Sequence, residues 1–159
     1  MLREILVAFI LVSINVSIHA TGMVELFKWL IRKQPKIEKK FSTVNNIVLF
    51  IEIFAIILSL HLVQICIWAS FYAIWADLKD FESALYFSIA TYVTIGYGDV
   101  VLPVGWRLLG AIEGMTGVLT FGWSTGVIFA VASRLMSTRL GQNRSLNRLS
   151  GTIETTEDR

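Results

Sequence analysis

Apolar residues are concentrated in three long stretches and one short stretch, which are separated by polar segments. The long stretches cover residues 5–31, 47–76 and 104–135, and the short one runs from Phe81 to Tyr92. An α-helix rises about 1.5 Å per residue, so about 20 apolar residues cross the hydrocarbon core of a bilayer. The long stretches are therefore predicted to be membrane-spanning helices. The short stretch is predicted to be a helix that reaches half of that distance, with Asp80 as its N-cap.

Polar residues divide the chain into four predicted segments. These are an N-terminal transmembrane helix, a basic linker, a core segment and a polar tail, over residues 1–31, 32–44, 45–135 and 136–159. Pro35 is predicted to end the first helix at or before Gln34, because proline removes a backbone donor and restricts the residue before it. The tail is expected to be a frayed helix followed by disorder.

Composition excludes several classes of protein. Hydrophobic residues make up 55% of the chain and charged residues 16%, whereas a soluble domain carries about 25% charged residues. The apolar fraction and a net charge of only +2 also exclude a disordered chain. The sequence therefore indicates an all-α membrane protein.

The distribution of basic residues predicts the orientation of the chain. Six Lys or Arg residues lie between Lys28 and Lys40 and three lie between Arg139 and Arg148, whereas the segment from Asp77 to Trp106 has few. The positive-inside rule places the linker and the tail in the cytoplasm, and the N-terminus and the short helix on the outer side of a plasma (cell inner) membrane. An aromatic belt at the outer interface is expected from Trp68, Phe71, Tyr72, Trp75 and Trp106.

The first apolar stretch also has a second interpretation. Arg3 and the run up to Ala20 loosely match a cleaved signal peptide. Cleavage would invert the two later helices and place the acidic short-helix segment in the cytoplasm, against the charge distribution. A retained helix is therefore favoured.

Residues suited to catalysis or to cofactor binding are not evident. The polar segments contain no nucleophile–base pair, phosphate-binding loop or cluster of metal ligands, so the sequence predicts no enzyme, no cofactor and no small-molecule substrate. The single cysteine, Cys66, excludes a disulfide framework and is expected to be a buried apolar side chain. The basic residues lie at the ends of apolar stretches, which argues against a nucleic acid partner.

A glycine-containing segment, Thr94-Ile95-Gly96-Tyr97-Gly98, directly follows the short helix. Irregular backbone at membrane depth is tolerated only inside protein or along an aqueous path. Glycines adopt positive φ without steric cost, and alternating handedness turns successive carbonyls to one side. One strand offers one oxygen per level, so several chains must converge to replace the hydration shell of a cation, and four copies would form rings of oxygens.

This segment and the helices around it resemble the pore module of tetrameric potassium channels over residues 45–135. The resemblance implies an outer helix, a half-membrane pore helix, a selectivity filter and an inner helix, here preceded by one additional helix, in a homotetramer with fourfold symmetry. It implies that K⁺ is coordinated by the carbonyls of four filter residues and by one threonine hydroxyl. The ion-binding positions are Thr94, Ile95, Gly96, Tyr97 and Gly98, with K⁺ at the first four.

The resemblance also assigns roles to the inner helix. Gly117 matches the gating glycine, and Gly122 forms a pair with it. Positions such as those of Phe121 and Thr125 face the cavity or the inner gate in the family. Asp99 closes the filter motif and is expected to collect cations at the outer mouth.

Two positions depart from the usual pattern of the family. The pore-helix residue that often bonds the aspartate after the filter is replaced, and Tyr86 is the available donor to Asp99. Glu113 lies within the last helix, where an ionised carboxylate is costly. Support of the pore helix from behind is favoured for Glu113, and a pH-sensing gate or interfacial exposure are the alternatives.

Other polar groups at membrane depth are Glu52, Gln64 and two histidines. Contacts between His19 and Glu52 or between His61 and Glu113 are geometrically possible, but ordinary hydrogen bonds between helices are favoured.

The sequence therefore predicts a potassium-selective channel without a voltage sensor or a soluble ligand domain, with membrane lipid as its other partner. The first helix has only Arg3 near its start, whereas a voltage sensor needs repeated arginines. The alternatives are a nonselective cation channel and a nonconducting accessory or sensor subunit.

Overall fold

The protein is an all-α membrane protein in the residues that its structure describes. A computed structural model describes the backbone of residues 2–39, 43–78 and 80–157, and the side chains of residues 2–33, 44–78 and 80–138. Four α-helices and one short 3₁₀ turn make up the regular structure of these described residues. They are α1 (Leu2–Lys39), α2 (Thr43–Trp75), α3 (Phe81–Tyr92), the turn Val104–Trp106 and α4 (Arg107–Glu157).

Three of the helical segments are long and apolar enough to cross a membrane, as predicted. They cover Leu2–Lys33, Val44–Trp75 and Val104–Thr138, and each is 32 or 35 residues long. At about 1.5 Å per residue each exceeds the hydrocarbon thickness of about 30 Å, so each segment can cross at a tilt or extend beyond the bilayer.

The short helix α3 has the predicted bounds, Phe81 to Tyr92, and the predicted cap. The Asp80 carboxylate accepts a hydrogen bond from the Ser83 backbone N–H, with Oδ1 2.7 Å from the nitrogen. The extended backbone of Asp80, with φ −150° and ψ 161°, is the usual geometry of an N-cap. The Asp80 cap therefore fixes the start of α3 at Phe81, and the 12-residue helix ends at Tyr92.

Two expectations about helix ends are wrong. The backbone of α1 continues through Pro35 to Lys39, and that of α4 is helical to Glu157. Proline removes one intrahelical hydrogen bond and disfavours helical structure in the residue before it, but the backbone is helical on both sides of Pro35. The side chains of most of the basic linker and of the tail beyond Thr138 lie outside the described residues.

The chain divides into two compact units, residues 1–123 and residues 124–159. The second unit is the C-terminal part of α4. All of the contacts described below lie within the first unit.

Helix α1 packs along α2 with one face. Residues on this face recur every three or four positions, as expected for a helix; they are Ala8, Leu11, Asn15, His19, Met23 and Leu26. Gly22 lies so close to Leu60 of α2 that a Cβ atom there would overlap the leucine side chain. Lys33 and Glu52 form an ion pair between the two helices. At the other end of α1, the Arg3 guanidinium lies 4.7 Å from the Trp106 ring centroid, next to the start of α4.

The predicted aromatic belt is wrong for two of its five members, and the expectation for the cysteine is also wrong. Trp68 and Tyr72 are fully buried and stack at 6.0 Å between ring centroids. They are four residues apart, so they lie on the same face of α2, and that face points into the helix packing. Cys66 lies on a different face and is exposed.

Candidate functional site

The backbone of the segment after α3 alternates in handedness from residue to residue. Thr94, Gly96 and Gly98 have positive φ values of 60°, 56° and 80°, whereas Ile95 and Tyr97 do not. Alternating left- and right-handed residues direct successive carbonyl oxygens to the same side of a strand, so this conformation produces a row of oxygens. Positive φ is accessible to glycine, but it costs a residue such as Thr94 about 1–2 kcal/mol.

Backbone hydrogen bonds attach the first half of this strand to the last turn of α3. The Thr94 N–H donates to the Thr91 carbonyl at 2.9 Å, and the Ile95 and Gly96 N–H groups donate to the Ala90 carbonyl at 2.8 and 3.1 Å. The position of the carbonyl row therefore depends on the position of the C-terminal turn of α3.

Two tyrosines and an aspartate connect the second half of the strand to α3. The Tyr86 hydroxyl donates to Asp99 Oδ2 at 2.8 Å, which confirms the predicted contact. The rings of Tyr86 and Tyr97 stack with their planes 10° apart and their centroids 6.4 Å apart. The Tyr86 hydroxyl lowers the pKa of the Asp99 carboxyl, so the carboxylate at this end of the strand stays charged to lower pH.

Glu113 connects three helices behind the strand. Its carboxylate is fully buried and accepts hydrogen bonds from the Tyr72 hydroxyl of α2 at 2.7 Å and from the Ser88 hydroxyl of α3 at 2.5 Å. Ser88 also lies 3.1 Å from the Ile65 carbonyl of α2. Of the interpretations considered for Glu113, interfacial exposure is wrong, because both carboxylate oxygens face the protein interior.

Small residues on α4 allow α3 to approach closely. A Cβ atom at Gly114 would lie 3.2 Å from the Thr91 carbonyl oxygen, and one at Gly117 would overlap the Tyr92 carbonyl oxygen. Gly122, five residues further along, has open space around the equivalent position. The two glycines assigned to the inner helix therefore differ: Gly117 is a packing position against the end of α3, whereas Gly122 is not. The helix continues through both of them.

Phe121 was expected to face the cavity or the inner gate, but its side chain packs between helices. Its ring packs against His61 at 4.5 Å and Tyr92 at 5.5 Å between centroids, because its position on α4 points toward α2 and α3. Thr125 is exposed on α4.

A buried network of polar side chains, which was not predicted from the sequence, lies behind the end of α3. The Tyr92 hydroxyl donates to Gln64 Oε1, lies 2.8 Å from Thr120 Oγ1 and lies 3.1 Å from His61 Nδ1. Gln64 Nε2 in turn lies 3.0 Å from His19 Nδ1 of α1. These contacts replace the pairings considered for the two histidines, and Glu52 is paired with Lys33. The sequence feature that could have indicated this network is the presence of polar residues at helical spacing inside the apolar stretches.

A groove of about 710 Å³ lies beside the strand, between α3 and the first turns of α4. Its lining includes Phe87, Thr94, Gly96, Arg107 and Met115. Among the described residues no group of three or more His, Cys, Asp or Glu side chains is placed to hold a metal ion. The ion ligands predicted from the sequence, the backbone oxygens of the strand and the Thr94 hydroxyl, lie at the edge of this groove.

Comparison with models of protein families gives a match over the middle of the chain. A family model described as an ion channel matches residues 47–134, which is more than half of the chain. The match covers most of α2, all of α3, the strand and the N-terminal half of α4. No curated protein and no solved structure matches the chain significantly.

Proposed function

The chain belongs to the ion channel family whose model matches residues 47–134, and we propose that it is a potassium-selective channel that acts as a homotetramer. In this proposal α3 is the pore helix, residues 94–98 are the selectivity filter, and K⁺ is the permeating ion. The ion passes down its gradient without chemical change.

One observation carries the proposal, namely the alternation of backbone handedness from Thr94 to Gly98. A row of carbonyl oxygens on one side of a strand is suited to a dehydrated cation, because it replaces water oxygens without adding fixed charge. Such rings of carbonyls are the filter of potassium channels. Ile95 and Tyr97 are more than half exposed within one chain, so the strand lies at the surface of the single chain.

Four copies of the chain are needed because one strand supplies only one oxygen per level. The groove between α3, the strand and α4 supports this arrangement. It is unfilled within one chain, and in the proposed assembly it is a surface available to an adjacent copy. Closed rotational symmetry is also the common arrangement for assemblies of identical chains.

Charge at the two ends of the filter favours cations. Asp80 and Asp99 are exposed near the proposed outer mouth, and hydrogen bonds from Ser83 and Tyr86 lower the pKa values of their carboxyls. Both groups are therefore ionised at neutral pH. At the opposite end, the C-terminus of α3 places about half a negative charge of its helix dipole near the start of the filter.

The contact between Arg3 and Trp106 supports an outside N-terminus. Trp106 precedes α4 at the end that leads from the filter, so the start of α1 and the outer mouth lie at the same end of the first unit. Together with the basic residues of the linker, this favours a plasma membrane protein with the filter mouth outside.

Ion flux into liposomes that contain the purified protein tests the proposal. We expect K⁺ flux from the wild type and none from Gly96→Ala, because alanine at φ 56° disrupts the filter backbone. Gly105→Ala is the matched control, since Gly105 has open space around it and no positive φ. Equal K⁺ and Na⁺ flux in the wild type would indicate a nonselective channel, and unchanged K⁺ flux in Gly96→Ala would contradict the filter assignment.

A further inference from the structure

We propose that α1 positions the inner end of the filter through a buried relay of hydrogen bonds from His19 to Gln64 to Tyr92. His19 and Gln64 are then positioning residues for ion selection, although neither is near the ion path. The inference rests on the proposed function where it concerns selectivity. Its structural part, the control of the end of α3 by α1, is independent of conduction.

The polar residues of α1 are divided between two faces. Asn15 and His19 are fully buried on the face toward α2. Ser13, Ser17 and Thr21 are exposed on another face, and each donates to the carbonyl of the residue four positions before it. The exposed hydroxyls are thus satisfied within their own helix. The His19 ring instead forms a hydrogen bond with a different helix.

Gln64 of α2 is oriented by α1. Its amide nitrogen lies 3.0 Å from His19 Nδ1 and donates to the Asn15 carbonyl at 3.4 Å. Because the amide nitrogen faces α1, the amide oxygen faces the opposite way, where it accepts the proton of the Tyr92 hydroxyl. An amide turned by half a rotation would present N–H groups to Tyr92, so the orientation set by α1 determines whether this bond forms.

Tyr92 connects Gln64 to the end of α3 that holds the filter. It is the last residue of α3 and lies two positions before Thr94. Its side chain is held by Gln64 and Thr120, and its backbone carbonyl is packed against Gly117. The preceding carbonyls of Ala90 and Thr91 accept the backbone hydrogen bonds of residues 94–96. A shift of Tyr92 therefore moves the acceptors that hold the first carbonyls of the filter.

The location of the relay makes it sensitive to the loss of one member. Gln64 and His19 are buried between helices that span the membrane, where water does not replace a missing partner. Replacement of His19 by leucine leaves one Gln64 N–H without its acceptor, and only the longer bond to the Asn15 carbonyl, at 3.4 Å, then holds the amide nitrogen toward α1. The orientation that places the amide oxygen on Tyr92 is thereby weakened. Glutamine at position 19 again supplies an acceptor oxygen.

Amide hydrogen exchange of the full-length protein in lipid nanodiscs with K⁺ tests the relay. In His19→Leu we expect exchange over residues 90–97 to be about fivefold faster, the factor that the net loss of one buried hydrogen bond gives. Exchange over residues 81–86, at the capped end of α3, should be unchanged. His19→Gln should restore the wild-type rate, and Ser17→Ala is the matched control because it removes an exposed hydroxyl of the same helix.

The permeability ratio of K⁺ to Na⁺ in planar bilayers is the second measurement, and we expect it to fall in His19→Leu and to recover in His19→Gln. Unchanged exchange in His19→Leu, a uniform rise along α3 or no recovery in His19→Gln would overturn the relay. A conducting His19→Leu channel with the wild-type ratio would overturn its effect on selectivity. If the wild type passes no K⁺ at all, the proposed function fails, whereas the exchange rates still decide the relay.

Discussion

The strand after α3 and the polar layer behind it are held in place by different kinds of interaction. The strand, residues 94–98, is exposed within the chain, and its conformation rests on positive φ values and on backbone hydrogen bonds to α3. The layer behind it is buried, and its residues are joined by side-chain hydrogen bonds between helices; they are Tyr72, Ser88 and Glu113, with the relay through Gln64 and Tyr92. In the proposed channel the ion contacts the backbone of the strand, while the side chains of the buried layer determine where that backbone lies.

Removal of the Glu113 carboxylate should have the largest effect on stability. In Glu113→Leu the buried Tyr72 hydroxyl loses its acceptor, which costs about 1–3 kcal/mol, and the Ser88 hydroxyl keeps only the Ile65 carbonyl. We expect a total loss of about 2–4 kcal/mol. Glu113→Gln keeps one acceptor oxygen and should lose less. Thermal unfolding of the purified assembly in detergent measures the difference.

An unchanged midpoint in Glu113→Leu would show that the buried carboxylate does not support α3. An additional Ser88→Ala substitution should cost little in the Glu113→Leu background, because the two residues share one hydrogen bond.

The two glycines of α4 should respond to alanine in opposite directions. In Gly117→Ala the new Cβ overlaps the Tyr92 carbonyl oxygen, and we expect a loss of about 1–3 kcal/mol from overpacking. Gly122→Ala has open space and should gain up to about 1 kcal/mol from helix propensity. Unfolding midpoints of the two variants, measured together, check this; equal shifts would contradict the packing role of Gly117.

Tyr86→Phe should have the smallest effect of these variants, and that effect should be on the ionisation of Asp99. The Tyr86 hydroxyl lowers the pKa of Asp99, so its removal raises that pKa toward the ordinary value. A carboxylate is neutralised as the pH falls through its pKa, and the variant should therefore lose the Asp99 charge at a higher pH than the wild type. Titration of the carboxyl ¹³C resonances measures the shift.

Asp80 provides the internal control for that titration. The Ser83 backbone N–H and side chain lower the pKa of Asp80, and Tyr86 takes no part. An Asp80 pKa that moves together with that of Asp99 would indicate a general change at the outer end of α3 rather than the loss of one hydrogen bond.

Local features around α3 were predicted well from the sequence, whereas the helix end predicted at Pro35 was wrong. The bounds of α3, the Asp80 cap and the hydrogen bond from Tyr86 to Asp99 all depend on residues close together in the chain. The filter motif is also local, because the glycines that permit positive φ are part of it.

The sequence did not predict the features that depend on which faces of the helices pack together. Trp and Tyr are the residue types typical of an interfacial belt. Only the packing of α2 shows that the face carrying Trp68 and Tyr72 is buried. His19 and Gln64 were recognised as polar residues at membrane depth. Their mutual contact was missed, because it depends on the rotation of α1 about its axis, and the apolar residues on all sides of α1 leave that rotation undetermined.

The reversal potential of the wild-type protein in a planar bilayer, with K⁺ on one side and Na⁺ on the other at equal concentrations, tests the central claim most directly. We predict a potential strongly displaced toward the K⁺ equilibrium value, because rings of carbonyl oxygens from residues 94–97 replace the hydration shell of K⁺. A reversal potential near zero with measurable current would contradict a potassium-selective filter.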